Sequence, residues 1–315
     1  MKKLLWIVFI IPLFMIAACG NENSTSAEKP NNNAQGEHPE GNNNESKTIT
    51  YESENGPIEV PANPQRVIVL TGGFAGDVLS LDVPLVGVDS WAKDNPDFDL
   101  EGVEVVSDED LEKIIELEPD LIIGQSTIKN YDKLSEIAPT VTYTYGNLDY
   151  LNRHLEIGKV LNKEEEAQQW IDDFKARAQK AGEEIKAEIG EDATVTVIEN
   201  FDKELYVFGD NWGRGTEVLY QAMGLNMPES VKEAALEDGY YTLSLEVLPE
   251  YVGNYLVISK TEEKESSFME TDTFRNIPAV QNGHVFVADA ETFYFNDPIT
   301  LDNQLDFFIE SFLGK

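Results

Sequence analysis

From residue 66 onward, short apolar runs alternate with stretches in which apolar residues recur every three or four positions. That is the pattern of buried strands alternating with amphipathic helices. In the first half, residues 66–70 (RVIVL) predict a strand that runs into a Gly72-Gly73 turn and a short helix, and residues 85–88, 121–123 and 141–143 predict three more strands. Residues 107–118 predict a helix with Ser107 as N-cap and Leu111, Ile114 and Ile115 on one face. The second half repeats the style, with strands expected at residues 194–198, 205–208, 255–258 and 284–288. Between the halves, Ala167, Ile171, Phe174, Ala178, Ala181 and Ile185 recur at helical spacing from Lys163 to Ile189, with no Pro and no Gly before Gly182. Such a helix is about 40 Å long. The fold class expected is α/β: two α/β lobes with central, mainly parallel sheets joined by one long α-helix, and a ligand cleft between the lobes. Leu111-Glu112 and Leu245-Glu246 stand at similar distances before a predicted strand, a slight internal echo between the lobes.

The N-terminus is built differently. Lys2 and Lys3 precede an apolar run from Leu4 to Ile16, which closes on Ala17-Ala18-Cys19-Gly20. A charged start, a short apolar stretch and a small-residue cleavage point make a secretory signal, and the run is short for spanning a bilayer. Small residues directly before the lone Cys resemble the lipobox of bacterial lipoproteins. That likeness implies that residues 1–18 are a signal peptide and that Cys19 is lipidated as the mature N-terminus. Residues 20–47 contain only Ala27 and Ala34 as apolar members and cannot build a core; as a flexible coil they would reach on the order of 30 Å. The layout expected is therefore a signal peptide (1–18), a disordered tether (19–47), an N-terminal lobe (48–162), an interlobe helix (163–189) and a C-terminal lobe (190–315). The body is expected outside the cytoplasm, lipid-anchored to the outer face of the cell membrane.

Charge narrows the partners. With 23 Lys and Arg against 59 Asp and Glu, the formal net charge is −36, which disfavours nucleic acid and anionic lipid surfaces. The three histidines, His38, His154 and His284, are too few and too scattered to suggest direct ligation of a metal. Residues 71–76 (TGGFAG) lack the G-x-G-x-x-G spacing of a dinucleotide loop. No Ser-centred nucleophile elbow is present, so an enzyme is the lesser reading.

The densest chemistry lies in residues 204–215 (ELYVFGDNWGRG). A strand ends at Phe208, and a Gly-punctuated loop with Trp212 and Arg214 leads into a helix whose buried face carries Val218, Leu219, Ala222 and Met223. Ligands of open α/β sheets sit beyond the carboxyl ends of strands. An indole supplies a flat apolar face, and a guanidinium supplies a fork of donors. The pair suits a ligand with an apolar shell and oxygen acceptors.

Together with that loop, Asn63-Pro64-Gln65-Arg66, Glu118-Pro119-Asp120-Leu121-Ile122, Asn296-Asp297-Pro298 and the tether resemble the substrate-binding lipoproteins of iron-siderophore ABC importers, and among them the hydroxamate binders. This periplasmic-binding-protein-like family has a single long interlobe helix, and the likeness covers Thr48 to the C-terminus. The resemblance implies ligand contacts at Tyr206, Trp212 and Arg214, with Tyr145 from the N-terminal lobe. Where the family often has a tryptophan before the C-terminal Asp-Pro, this chain has Phe293 and Tyr294, which keep stacking but remove an indole donor. Trp91 is a further candidate for lining the cleft, and so are Lys93 and Lys129 as basic supplements. Glu112 and Glu246 match the positions that meet the importer's permease, which works with an ATPase. The implied protein is a monomer without a cofactor of its own. Its ligand is a ferric siderophore whose Fe(III) is held by the siderophore and not by protein atoms. A neutral or cationic trihydroxamate is expected, with ferric citrate or a mixed citrate-hydroxamate complex as the alternative.

Overall fold

The computed structural model describes residues 47–201, 204–261 and 267–315. Cys19, His38, the signal segment and nearly all of the tether lie outside the described residues. The first described element is a β-hairpin, β1 (Thr48–Ser53) and β2 (Gly56–Pro61), which the apolar pattern did not announce because its strands are half-exposed.

The N-terminal sheet contains β3 (Val67–Val69), β4 (Leu85–Val88), β5 (Glu104–Val105), β6 (Leu121–Gln125) and β7 (Thr140–Tyr143). Its order is β5-β4-β3-β6-β7, and every pairing is parallel. Strands β3 and β7 are buried along their whole length, as strands of a sheet covered on both faces are, although β7 alternates Thr140 and Thr142 with Val141 and Tyr143. Two sequence motifs meet here. The Asp120 carboxylate accepts the backbone N–H of Gln65 at 2.7 Å and of Arg66 at 3.0 Å, while the Arg66 guanidinium donates to the Leu117 and Glu118 carbonyls. The helix expected from Ser107 starts later, at Leu111–Glu116 with Asp110 in the cap position. Ser107 instead donates its hydroxyl to Asp110 at 2.7 Å, so the two residues shape the turn before the helix.

The C-terminal sheet repeats the same strand order with β8 (Val195–Phe201), β9 (Glu204–Phe208), β10 (Tyr240–Leu243), β11 (Tyr255–Lys260) and β12 (Val285–Asp289), arranged β10-β9-β8-β11-β12. Here β9 runs antiparallel to both neighbours, while β8, β11 and β12 are mutually parallel. Glu112 and Glu246 therefore both sit in the segment leading into the fourth strand of their sheet, β6 and β11, and both are exposed.

The connecting helix runs Glu164–Ile189. Ala167 joins the N-terminal core, whereas Phe174, Ala178, Ala181 and Ile185 join the C-terminal core. One rigid stripe thus braces both lobes. Gly182 is needed because a side chain there would overlap the Met223 carbonyl. The Trp170 indole donates to Asp302 at 3.0 Å, tying the same helix to the C-terminal helix Pro298–Leu313.

Candidate functional site

A cavity of about 570 Å³ lies between the lobes, within the range of small-ligand sites. On the N-terminal side it is lined by Thr71 and Phe74 after β3, Gln125 at the end of β6, and Tyr145 after β7. These are the carboxyl ends of parallel strands, and β3 and β6 flank the point where the strand order reverses. Helix Tyr150–Val160 adds Arg153. Its Nε meets Asp77 at 3.0 Å, its Nη1 and Nη2 donate to the Asn296 side chain (2.8 Å) and carbonyl (3.0 Å), and its guanidinium lies 5.2 Å from the Phe74 ring centre.

The C-terminal wall is the loop after β9. Because β9 is antiparallel, this loop does not leave from the carboxyl edge of the parallel strands as the sequence argument supposed. Gly213, Arg214 and Gly215 all take left-handed backbone angles, with φ of 68°, 57° and 82°, and turn the chain back toward the cleft. Arg214 is the costly member, since a side chain in that region is disfavoured by roughly 1–2 kcal/mol. Its N–H is held by the Phe293 carbonyl at 2.7 Å. At Gly213 a side chain would overlap the Tyr294 carbonyl. The loop then enters a π-helix, Glu217–Ala222, that buries Val218 and Leu219, a helix form often found at functional sites.

Arg214 reaches the cavity with its Nε on Glu199 at 2.7 Å, its Nη1 on the Trp212 carbonyl at 3.2 Å, and the Phe208 and Tyr294 rings 5.1 and 4.9 Å from its guanidinium. Trp212 stands edge-on to Tyr145 at 5.8 Å, so an aromatic from each lobe meets across the mouth. Trp91 and Tyr294 make a second such pair at 5.3 Å, although Trp91 lies beside the cavity and not in its lining. Burial drives the Tyr294 hydroxyl up to about 12, with the Glu199 carboxylate adding to the shift and Arg214 opposing it.

Two expectations are corrected. Phe293 is only 3% exposed and packs edge-on to Phe307 and Phe308 in the C-terminal core, so Tyr294 alone of that pair faces the cavity. Tyr206 sits at the middle of β9, paired with Glu199, with its hydroxyl on Glu204 at 2.8 Å and its ring against Phe208 and Tyr240, and stays a candidate contact beside the lining. Lys93 donates to the Leu100 and Val103 carbonyls, and Lys129 pairs with Glu109; neither lines the cavity. The second cation is Arg153, which sequence reasoning passed over because it reads as one charge on an ordinary helix.

Glu199 and Glu217 were also passed over. Glu217 is fully buried, accepts from the Gly213 N–H at 3.1 Å and from Asn296 at 2.7 Å, and has its carboxyl pushed up by that burial. No short-range signal marks either residue; only their placement under the loop does. His154 is buried on Asp77 at 3.1 Å, and His284 stacks on Tyr255 at 4.4 Å. Among the described residues no group of His, Cys, Asp and Glu is arranged to hold a metal ion. The site can grip an apolar body with oxygen acceptors.

Comparison with known proteins gives the same frame. The iron(3+)-hydroxamate-binding protein FhuD of Bacillus subtilis (strain 168) is 34% identical over 304 residues, covering 94% of this chain and 93% of that protein. Among solved structures, the FhuD protein from S. pseudintermedius superposes with a TM-score of 0.77 at 34% identity, covering 86% of this chain and 99% of that one. FhuD2 from Staphylococcus aureus with bound ferrioxamine B gives a TM-score of 0.76 at 35% identity, covering 80% and 99%. The periplasmic binding protein model matches residues 67–292. Two lobes braced by one helix, a cleft lined from both sides and this match place the chain in the periplasmic binding protein family, whose members bind ligands and are not enzymes.

Proposed function

We propose that this chain binds a ferric trihydroxamate siderophore whole in the interlobe cavity and, as a monomer, delivers it to an ABC-type importer. The observation that carries the reading is the pairing of guanidinium groups and rings at one opening: Arg153 and Arg214 line a cavity bordered by Phe74, Tyr145, Trp212 and Tyr294. A hexadentate hydroxamate already fills the six oxygen positions around Fe(III). The protein then needs only donors toward iron-bound oxygens and apolar surface for the chelator's hydrocarbon. A charge-assisted bond of that kind contributes about 1.5–3 kcal/mol. The hydroxamate-binding relatives named above support the ligand class.

Lipid on Cys19 would hold the protein at the outer face of the membrane, and exposed Glu112 and Glu246, at equivalent places on the two lobes, would meet the permease, which its ATPase drives. Titration with a ferric trihydroxamate, ferric citrate and a ferric catecholate, followed by tryptophan quenching, tests the ligand. Tight binding of the trihydroxamate is expected, and Trp212→Ala and Arg214→Ala should each weaken it by about tenfold or more. Equal and weak responses to all three complexes would refute the assignment. Glu112→Ala with Glu246→Ala should leave binding intact and stop uptake by cells. Cys19→Ser should release the protein from membranes.

A further inference from the structure

Each arginine that reaches the cavity has a buried carboxylate behind it: Asp77 for Arg153 and Glu199 for Arg214. Glu199, on β8, is only 1% exposed, and Arg214 is 14% exposed. The Glu199 charge also pushes the Tyr294 hydroxyl up, so one carboxylate acts on both C-terminal groups that face the ligand. The guanidinium is thereby fixed in direction with its charge cancelled at 2.7 Å. The other charged lining groups, Asp149, Asp210 and Glu217, are acidic. The cavity thus offers strong donors without a net positive field.

We infer that Glu199 sets the charge class of the ligand: by neutralising Arg214 from behind, it admits chelates whose metal core carries no net charge and rejects anionic ones. This rests on the siderophore reading above and narrows it. Three hydroxamates balance Fe(III), so their complex needs hydrogen bonds and no counter-charge. A citrate-containing complex keeps surplus negative charge, which in a partly dry cavity requires an unpaired cation.

The test is a ratio. Affinities for a neutral ferric trihydroxamate and an anionic ferric citrate-dihydroxamate complex are measured on the wild type, Glu199→Gln, Glu199→Asp and Asn211→Lys. Glu199→Gln should shift the ratio about tenfold toward the anionic complex. Glu199→Asp, which keeps the charge, should weaken both complexes and leave the ratio near that of the wild type. Asn211 is exposed in the cavity lining, so Asn211→Lys adds a cation without touching the buried pair and should shift the ratio the same way even if Glu199→Gln does not fold. A purely structural role for Glu199 would lower both affinities together. An unchanged ratio in Glu199→Gln or Asn211→Lys, with the wild type preferring the trihydroxamate, overturns this inference alone. A wild type that binds neither complex, yet holds another ferric chelate, overturns the hydroxamate reading and this inference with it.

Discussion

Replacing Asp297 by Asn should make the protein progressively more stable relative to the wild type as pH rises toward neutrality. Asp297 is fully buried and caps the C-terminal helix: its Oδ1 accepts from the Ile299 and Thr300 N–H groups at 3.1 and 3.2 Å, and its Oδ2 accepts from the Thr300 hydroxyl at 2.8 Å. Burial, then the nearby Asp77 charge, push its carboxyl up to about 7, with the Thr300 bonds and Arg153 opposing. An unfolded Asp titrates near ~3.9. Between those values the folded chain keeps a proton that the unfolded chain has released, so each pH unit costs about 1.4 kcal/mol of stability. The stability is fully present below the unfolded value and has been lost once pH passes through the folded one. Asn keeps the capping oxygen and removes the titration, and the two residues are similar as N-caps. Over about pH 5 to 8 the stability of Asp297→Asn minus that of the wild type should rise by about 3 kcal/mol. Urea unfolding followed by circular dichroism at matched pH measures it. A flat difference would refute the reasoning, and a falling one would mean that Arg153 and the cap favour the ionised form.

Three further outcomes follow from close approaches and latches. Gly76→Ala would overlap the buried Asp297 carboxylate and should destabilise by about 1–3 kcal/mol, read from chemical denaturation. Gly213→Ala meets both a φ of 68° and the Tyr294 carbonyl, so it should lower stability and siderophore affinity together, whereas Gly146→Ala, at a positive φ with open space around it, should cost only backbone strain. Glu54, at the hairpin tip, accepts from the Thr144 N–H (2.9 Å), the Thr144 hydroxyl (2.7 Å) and Asn147 (3.0 Å), and so latches the loop that presents Tyr145. Glu54→Ala should weaken siderophore binding several-fold with little change in Tm, and an unchanged Kd would remove the latch from the account.

Periodicity alone located the long helix to within a residue of its start, and eight of the strands from β3 to β12 overlap the runs that announced them, because a buried strand or helix face must be apolar wherever it lies. The Trp-Gly-Arg loop was legible for a related reason: an indole and a guanidinium between glycines are poor core formers and stand out. The rest depended on which surfaces meet. Phe293 and Tyr294 are neighbours in sequence, yet one packs among phenylalanines and the other faces the cavity, a choice made by the turn that carries them. Exposed β10, the half-exposed β1–β2 hairpin and the reversed direction of β9 leave no apolar signature, since pairing partners are absent from a linear pattern. Arg153, Glu199 and Glu217 look like any of the chain's many charges until folding brings their partners within bonding distance. A charge acquires its role from what desolvates and opposes it, and that is a property of the packed structure.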